Sequence, residues 1–267
     1  MKKVYRSKYS EIFFYFPEEN NLKLVPKKVL QMATEDKVNE LMGYPTGGVF
    51  LKNYSYQLGT NKKKVKQPTV KDFEKIKDII FEFEDKFNKI LPKKNRGTRY
   101  FILPWYPNEL ESKKFDGSNA TATYYRTVHI YIDITSYTKK GILKTLAHEL
   151  NHLYFFDRRK DFNFSIKDML IMEGLAEHFR EYMVGGKVAP WSKALNNKQA
   201  MSEINKVEPY FESTKREDYE SIFFGSVKSK RWTGYAIGYY LVKKFIKKNK
   251  NLSWEKIMKT DVKYFFE

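Results

Sequence analysis

At 267 residues, 42% of them hydrophobic and 17% aromatic, the chain has the material for one large core or two small ones. It contains no cysteine, which excludes thiolate metal ligands and a cysteine nucleophile, and which fits a reducing cytoplasm and a secreted chain freed of its signal peptide equally well. The formal net charge of +18 creates a long-range field that favours an anionic surface or polymer as partner, but the lysine-dominated runs carry neither arginine forks nor a recognisable element for reading nucleic-acid sequence.

In chain order, Glu11–Phe16 has strand composition, Lys27–Met42 reads as a helix ended by Gly43, and Val49–Leu58 is strand-like. The charged run Asn61–Pro68 is a linker. A strong helix starts at Thr69, a good N-cap, and carries Val70, Phe73, Ile76, Ile79, Ile80, Phe83, Phe87 and Ile90 at three- and four-residue spacing until Pro92 stops it. Tyr100–Leu103 is a short strand. Gly117–Tyr124 is small and polar, and the β-branched, aromatic stretch Val128–Ile134 is a further strand. Helices are expected at about Thr138–Phe156, from an N-cap at Ser165 to Gly185-Gly186, at Lys198–Phe211 and at Trp232–Lys247. No run approaches the about 20 apolar residues needed to span a bilayer, and Met1–Ser10 lacks an apolar signal core, so a cytoplasmic location is the default expectation.

The chemistry concentrates in the helix around Ala147-His148-Glu149-Leu150-Asn151-His152, an HExxH motif. Two histidines four apart share one helical face, so both imidazoles can reach one metal ion. Glu149, to the side of that face, can take a proton from a water on the metal without binding the metal itself, which makes it the catalytic base candidate. A catalytic zinc site needs a third protein ligand and an open position, and Glu173, 21 residues after His152, supplies the candidate on the next helix. Glu177, four residues further on and on the same face, can accept a ring N–H of a liganding histidine and fix its tautomer. The surroundings of the motif, Leu143, Leu146, Ala147, Leu150, Leu153 and Tyr154, have core character, unlike a solvated charged face.

The runs Leu146–His152, Glu173–Phe179 and Trp232–Tyr239 together resemble the blocks of the predicted zinc-dependent protease family of bacteria, itself similar to the gluzincins, the thermolysin-like metallopeptidases. The resemblance covers about Gly117 to Val242. It implies Zn2+ held by His148, His152 and Glu173, Glu149 as base and proton shuttle, Glu177 behind the ligands, and a peptide or protein substrate. Gluzincins often carry aspartate at the Glu177 position and use a separate histidine or tyrosine on the oxyanion. Tyr235 is the first candidate for that catalytic role, although a tyrosine packed on a helix face has the same sequence pattern. His178 is the weaker candidate, because it points to a different side of its helix from Glu173. Asn119-Ala120 resembles the Asn-Ala pair of the gluzincin substrate-binding strand, and the segment Gly117–Tyr124 is the expected sheet edge for a substrate to join; it also reads as an ordinary turn into the next strand.

The expected architecture is α+β: a mostly helical, zincin-like catalytic domain at 116–267 with a small antiparallel or mixed sheet, packed against a mixed helix and strand region at 1–115. The expected function is zinc-dependent peptide hydrolysis with Glu149 as general base. Two alternatives are a basic nucleic-acid- or envelope-binding protein with a structural metal site, for which His129 and His178 would be the fourth-ligand candidates, and a zinc hydrolase of non-peptide substrates.

Overall fold

The computed structural model describes residues 2–16, 66–92, 97–105, 109–123, 126–158, 163–226 and 229–267. The expected helix at Lys27–Met42 and the strand-like stretch at Val49–Leu58 lie outside these residues. The fold is α+β, helix-rich with one small mixed sheet, and it divides into two compact units, residues 1–153 and 154–267.

The first unit is built on a five-stranded sheet in the order β1-β2-β3-β5-β4, from β1 (Lys2–Arg6), β2 (Ser10–Tyr15), β3 (Thr98–Pro104), β4 (Ser118–Thr123) and β5 (Thr127–Ile132). The two hairpin pairs, β1 with β2 and β4 with β5, run antiparallel, whereas β2 with β3 and β3 with β5 run parallel. Strand β5 is buried along its whole length because it has a neighbour on each side and is covered on both faces. One sheet face carries Ile12 and Phe14 beside Tyr100 and Ile102; the other carries Phe13 and Phe101, stacked at 4.9 Å.

Helix α1 (Val70–Ile90) begins as its sequence dictates, with Thr69 and Asp72 forming a reciprocal capping box. Its apolar stripe, Phe73, Ile76, Ile80, Phe83 and Phe87, is buried, and Phe73 meets Phe14 of the sheet at 4.5 Å between ring centroids. The one charge on that stripe, Glu84, accepts hydrogen bonds from Ser10 Oγ at 2.6 Å and Tyr100 OH at 2.9 Å, which satisfies it in the interior and ties α1 to both β2 and β3. Truncating Phe73 or Phe87 to alanine removes about 3–5 kcal/mol of stability.

After the short helix α2 (Glu109–Lys114) the chain turns into β4, and the same turn receives helix α3 (Lys139–Phe156). Thr138 N–H donates to the carbonyl of Asp116, and Lys144 forms an ion pair with the Asp116 carboxylate at 2.7 Å. Gly141 permits this approach, because a Cβ there would lie 2.5 Å from the Asp116 carbonyl oxygen. Ser118 and Thr145 hydroxyls bond at 3.1 Å. The motif helix is thus fastened along the start of the edge strand β4.

The second unit is helical. Helix α4 (Ile166–Val184) has a capping box of Ser165 and Asp168 and ends at Gly185, as its sequence signals require. Helices α5 (Asn197–Val207), α6 (Arg216–Phe224), α7 (Thr233–Lys248) and α8 (Trp254–Lys259) follow. The expected helix Lys198–Phe211 is shorter because Pro209, lacking an N–H and clashing with the preceding turn, converts Glu208–Tyr210 to a single tighter turn. Helix α4 packs on α7 with backbone against backbone at Gly174 and Gly238.

Candidate metal centre

His148 and His152 project from the same face of α3, as their four-residue spacing requires. Their Nε2 atoms lie 2.9 Å apart and their rings stand at 88° to each other, so both nitrogens converge on one point. One carboxylate oxygen of Glu173, from α4, completes the cluster: the three ligand atoms all lie within 4.8 Å of one another. His152 and Glu173 are buried and His148 is half-buried.

These residues fit a zinc ion. Two nitrogens 2.9 Å apart, each about 2.0–2.1 Å from a common ion, subtend about 90° at it, the compressed end of a tetrahedral arrangement. Two imidazoles and a carboxylate, with no thiolate, are donors that suit zinc and number one fewer than its usual four.

Glu149 extends from α3 to the sheet edge. Its Oε2 accepts the main-chain N–H of Ala122 on β4 at 2.6 Å, a short, charge-assisted bond to a carboxylate that is only 7% exposed. Motif spacing alone gives no indication of this partner.

Glu177 is buried in the second unit. It accepts from Arg180 Nε at 3.0 Å and Nη2 at 2.9 Å on one oxygen, and from the indole N–H of Trp191 at 3.0 Å on the other. Arg180 is visible in the sequence as an i,i+3 partner of Glu177; Trp191, beyond the end of α4, is not. These contacts hold the Glu177 side chain in one orientation.

Tyr235 stands in the first turn of α7, half-buried, with its ring edge-on to Phe223 of α6 at 5.1 Å. His178 stacks on Tyr239 at 4.1 Å, and its Nε2 lies 2.9 Å from the Tyr239 main-chain carbonyl, so the ring donates its proton there. Burial pushes its pKa down to about 4, leaving it neutral, with a single N–H already engaged. Tyr239 in turn donates its hydroxyl to Glu181 at 3.1 Å. His129, buried in β5, packs edge-on to Phe101 at 5.9 Å. Among the described residues, the group of three or more His, Asp or Glu side chains that could hold a metal ion is His148, His152 and Glu173.

Asn119 and Ala120 lie on β4, which among the described residues is an edge strand of the sheet, paired with β5. The Asn119 side-chain oxygen accepts the N–H of Ala120 at 2.9 Å. No helix among the described residues is long and apolar enough to cross a membrane.

Comparison with known proteins gives the same direction. A curated relative, the uncharacterized protein YjfC of Bacillus subtilis (strain 168), is 25% identical over 155 residues, covering 52% of this chain and 50% of that protein. The match therefore spans half the length of the relative. No solved structure matches. Residues 74–267, a stretch that reaches upstream of the motif blocks to include most of α1, match the family described as predicted Zn-dependent protease (DUF2268). With well over half of its length matched, the chain belongs to that family of predicted zinc-dependent proteases.

Proposed function

We propose that the chain is a zinc metallopeptidase of gluzincin type that cleaves peptide bonds, with His148, His152 and Glu173 as the metal ligands and Glu149 as general base. The observation that carries this reading is the convergence of two imidazole nitrogens and a carboxylate oxygen within 4.8 Å, with an acidic side chain next to the first histidine in sequence.

A zinc ion bound there supplies a Lewis acid that brings the pKa of a water toward about 7 and draws negative charge onto itself. The protein's residues supply the proton chemistry. In this reading Glu149 takes a proton from the attacking water and returns it to the leaving amine, the two transfers that hydrolysis of an amide requires. Glu177, held by Arg180 and Trp191, serves to orient the ligands. Edge strand β4, with Asn119 and Ala120, receives an extended peptide by strand addition. Tyr235 is the candidate donor to the developing oxyanion; His178 has its N–H on the Tyr239 carbonyl and is unsuited to that role.

The test uses the full chain with its metal content measured. Glu149→Gln should retain about one zinc per chain and lose turnover by about 10^2-fold or more, whereas His148→Ala should lose the metal itself. Cleavage of a peptide mixture should disappear with a chelator and return with zinc. A zinc-loaded chain that cleaves no peptide, or a Glu149→Gln variant as active as the parent, would overturn the reading. Tyr235→Phe should lower kcat with little change in KM if the hydroxyl meets the oxyanion.

A further inference from the structure

The hydrogen-bonding parity of the sheet shows which way the main chain of β4 faces. Strand β5 gives the carbonyls of Arg126 and Ile132 to β3, through Arg99 N–H and Trp105 N–H. Its even-numbered residues therefore bond to β3, and its odd-numbered residues, Thr127, His129 and Tyr131, turn their main-chain groups to β4. These stand opposite Thr123, Thr121 and Asn119. The alternate residues, Ser118, Ala120 and Ala122, turn their N–H and C=O groups to the open side of the edge.

On that open side each N–H has an acceptor within the protein. Ser118 N–H donates to the Phe115 carbonyl at 3.2 Å, Ala120 N–H to the Asn119 side chain at 2.9 Å, and Ala122 N–H to Glu149 at 2.6 Å. The last is the shortest of the three and the only one that reaches another secondary-structure element. Resting on the peptidase reading above, we infer that the main-chain amide of Ala122 is the positioning group of the general base: the sheet edge, not a side chain, sets where the Glu149 carboxylate stands.

The physical reason is orientation. A glutamate on a helix has three rotatable bonds, and one 2.6 Å bond to a fixed backbone donor selects a single placement of its carboxylate. The donor belongs to a strand braced by β5, and α3 is fastened to the start of the same strand through Asp116, Gly141, Ser118 and Thr145. The distance between base and edge is therefore set by the fold. A peptide strand joining β4 must leave this N–H to Glu149, so at this position it pairs through its own N–H groups onto β4 carbonyls.

Two measurements on the zinc-loaded full chain test the inference. The first needs no activity: the Ala122 amide proton should be protected from hydrogen exchange in the parent and lose at least about tenfold of that protection in Glu149→Ala, because among the described residues no further strand pairs on that side of β4. Exchange at an unprotected rate in the parent, or equal protection in both proteins, overturns the proposal. The second is kinetic. Ala122→Pro deletes the donor without removing a ladder bond, which an edge position facing outward tolerates. With zinc content unchanged, it should lower kcat by about 100-fold, the cost of misplacing a reacting group by about 1 Å, with KM within about threefold, while Ala122→Gly, which keeps the N–H, restores kcat. A folded, zinc-loaded Ala122→Pro variant with parental kcat overturns the proposal, as does a loss of kcat equally large in Ala122→Gly. An inactive parent with a protected Ala122 amide would refute the peptidase reading while leaving the hydrogen bond established.

Discussion

The carbonyl oxygen of Leu170 lies 2.0 Å from the point a Cβ of residue 238 would occupy, which only glycine allows. The relation is reciprocal, since a Cβ on Gly174 would fall 2.2 Å from the carbonyl oxygen of Gly238. Helices α4 and α7 therefore cross with their backbones in contact, and the residue next to Gly174 is the ligand candidate Glu173. Gly238→Ala should destabilise the protein by about 3 kcal/mol or more, the upper end of overpacking, because the atoms struck are main chain and cannot rotate away. Urea unfolding gives the number; a loss below about 1 kcal/mol would mean that the helices separate cheaply.

Arg180 and Glu177 form an ion pair whose side chains are 6% and 1% exposed. Removing one partner strands a buried charge, so Arg180→Leu should cost about 3–5 kcal/mol, far more than a surface pair. Glu177→Gln keeps the acceptor for Trp191 while discharging the site, and combining it with Arg180→Leu should recover part of the loss. Denaturant midpoints of the two single variants and the double variant decide it; additive losses would show that the two residues are not coupled.

Local signals account for what the sequence revealed. The caps Thr69 and Ser165 and the stops Pro92 and Gly185 fix α1 and α4 to within a residue or two, because each satisfies or removes specific terminal hydrogen bonds. The shared face of His148 and His152 was legible for a related reason: i,i+4 spacing is a property of the helix itself. Strand β1 was not, since Lys2–Arg6 is mostly charged and is held by pairing with β2 and by contacts such as Tyr5 hydroxyl to Glu74 at 2.7 Å. The six-residue helices α2 and α8 are too short to show a period. Ala122, as a donor to Glu149, is identified by nothing in its side chain, because the group at work is the main-chain amide and its direction depends on strand register.

Metal binding should be readable as stability. If zinc binds the folded chain and not the unfolded one, zinc at 100 times its dissociation constant adds about 2.7 kcal/mol, and a chelator removes it. His152→Ala should abolish that dependence, and the difference between the two chelator-treated proteins gives the separate cost of truncating a buried ring. Thermal unfolding of both proteins with zinc and with chelator makes the comparison; an equal zinc response in the variant would remove His152 from the ligand set.

His178 gives a pH dependence that can be separated from the metal by working with chelator present. Its ordinary pKa is 6.5, and burial against Tyr239 brings it to about 4 in the folded chain. Between these values the unfolded chain holds a proton that the folded chain does not, so stability is complete above pH 6.5 and declines as pH falls toward 4. At pH 4.5 the decline from this group is about 2.5 kcal/mol, from 1.36 kcal/mol per unit. Glu181 lies in the same network, and burial raises its pKa. It therefore acts with the opposite sign, gaining stability on protonation. His178→Gln keeps a donor for the Tyr239 carbonyl and cannot titrate, so the difference between parent and variant unfolding energies at pH 7.5 and pH 4.5 isolates the histidine. The parent should lose about 2.5 kcal/mol more than the variant over that interval; equal losses would mean that His178 can be protonated in the folded chain, and that its burial does not hold it neutral.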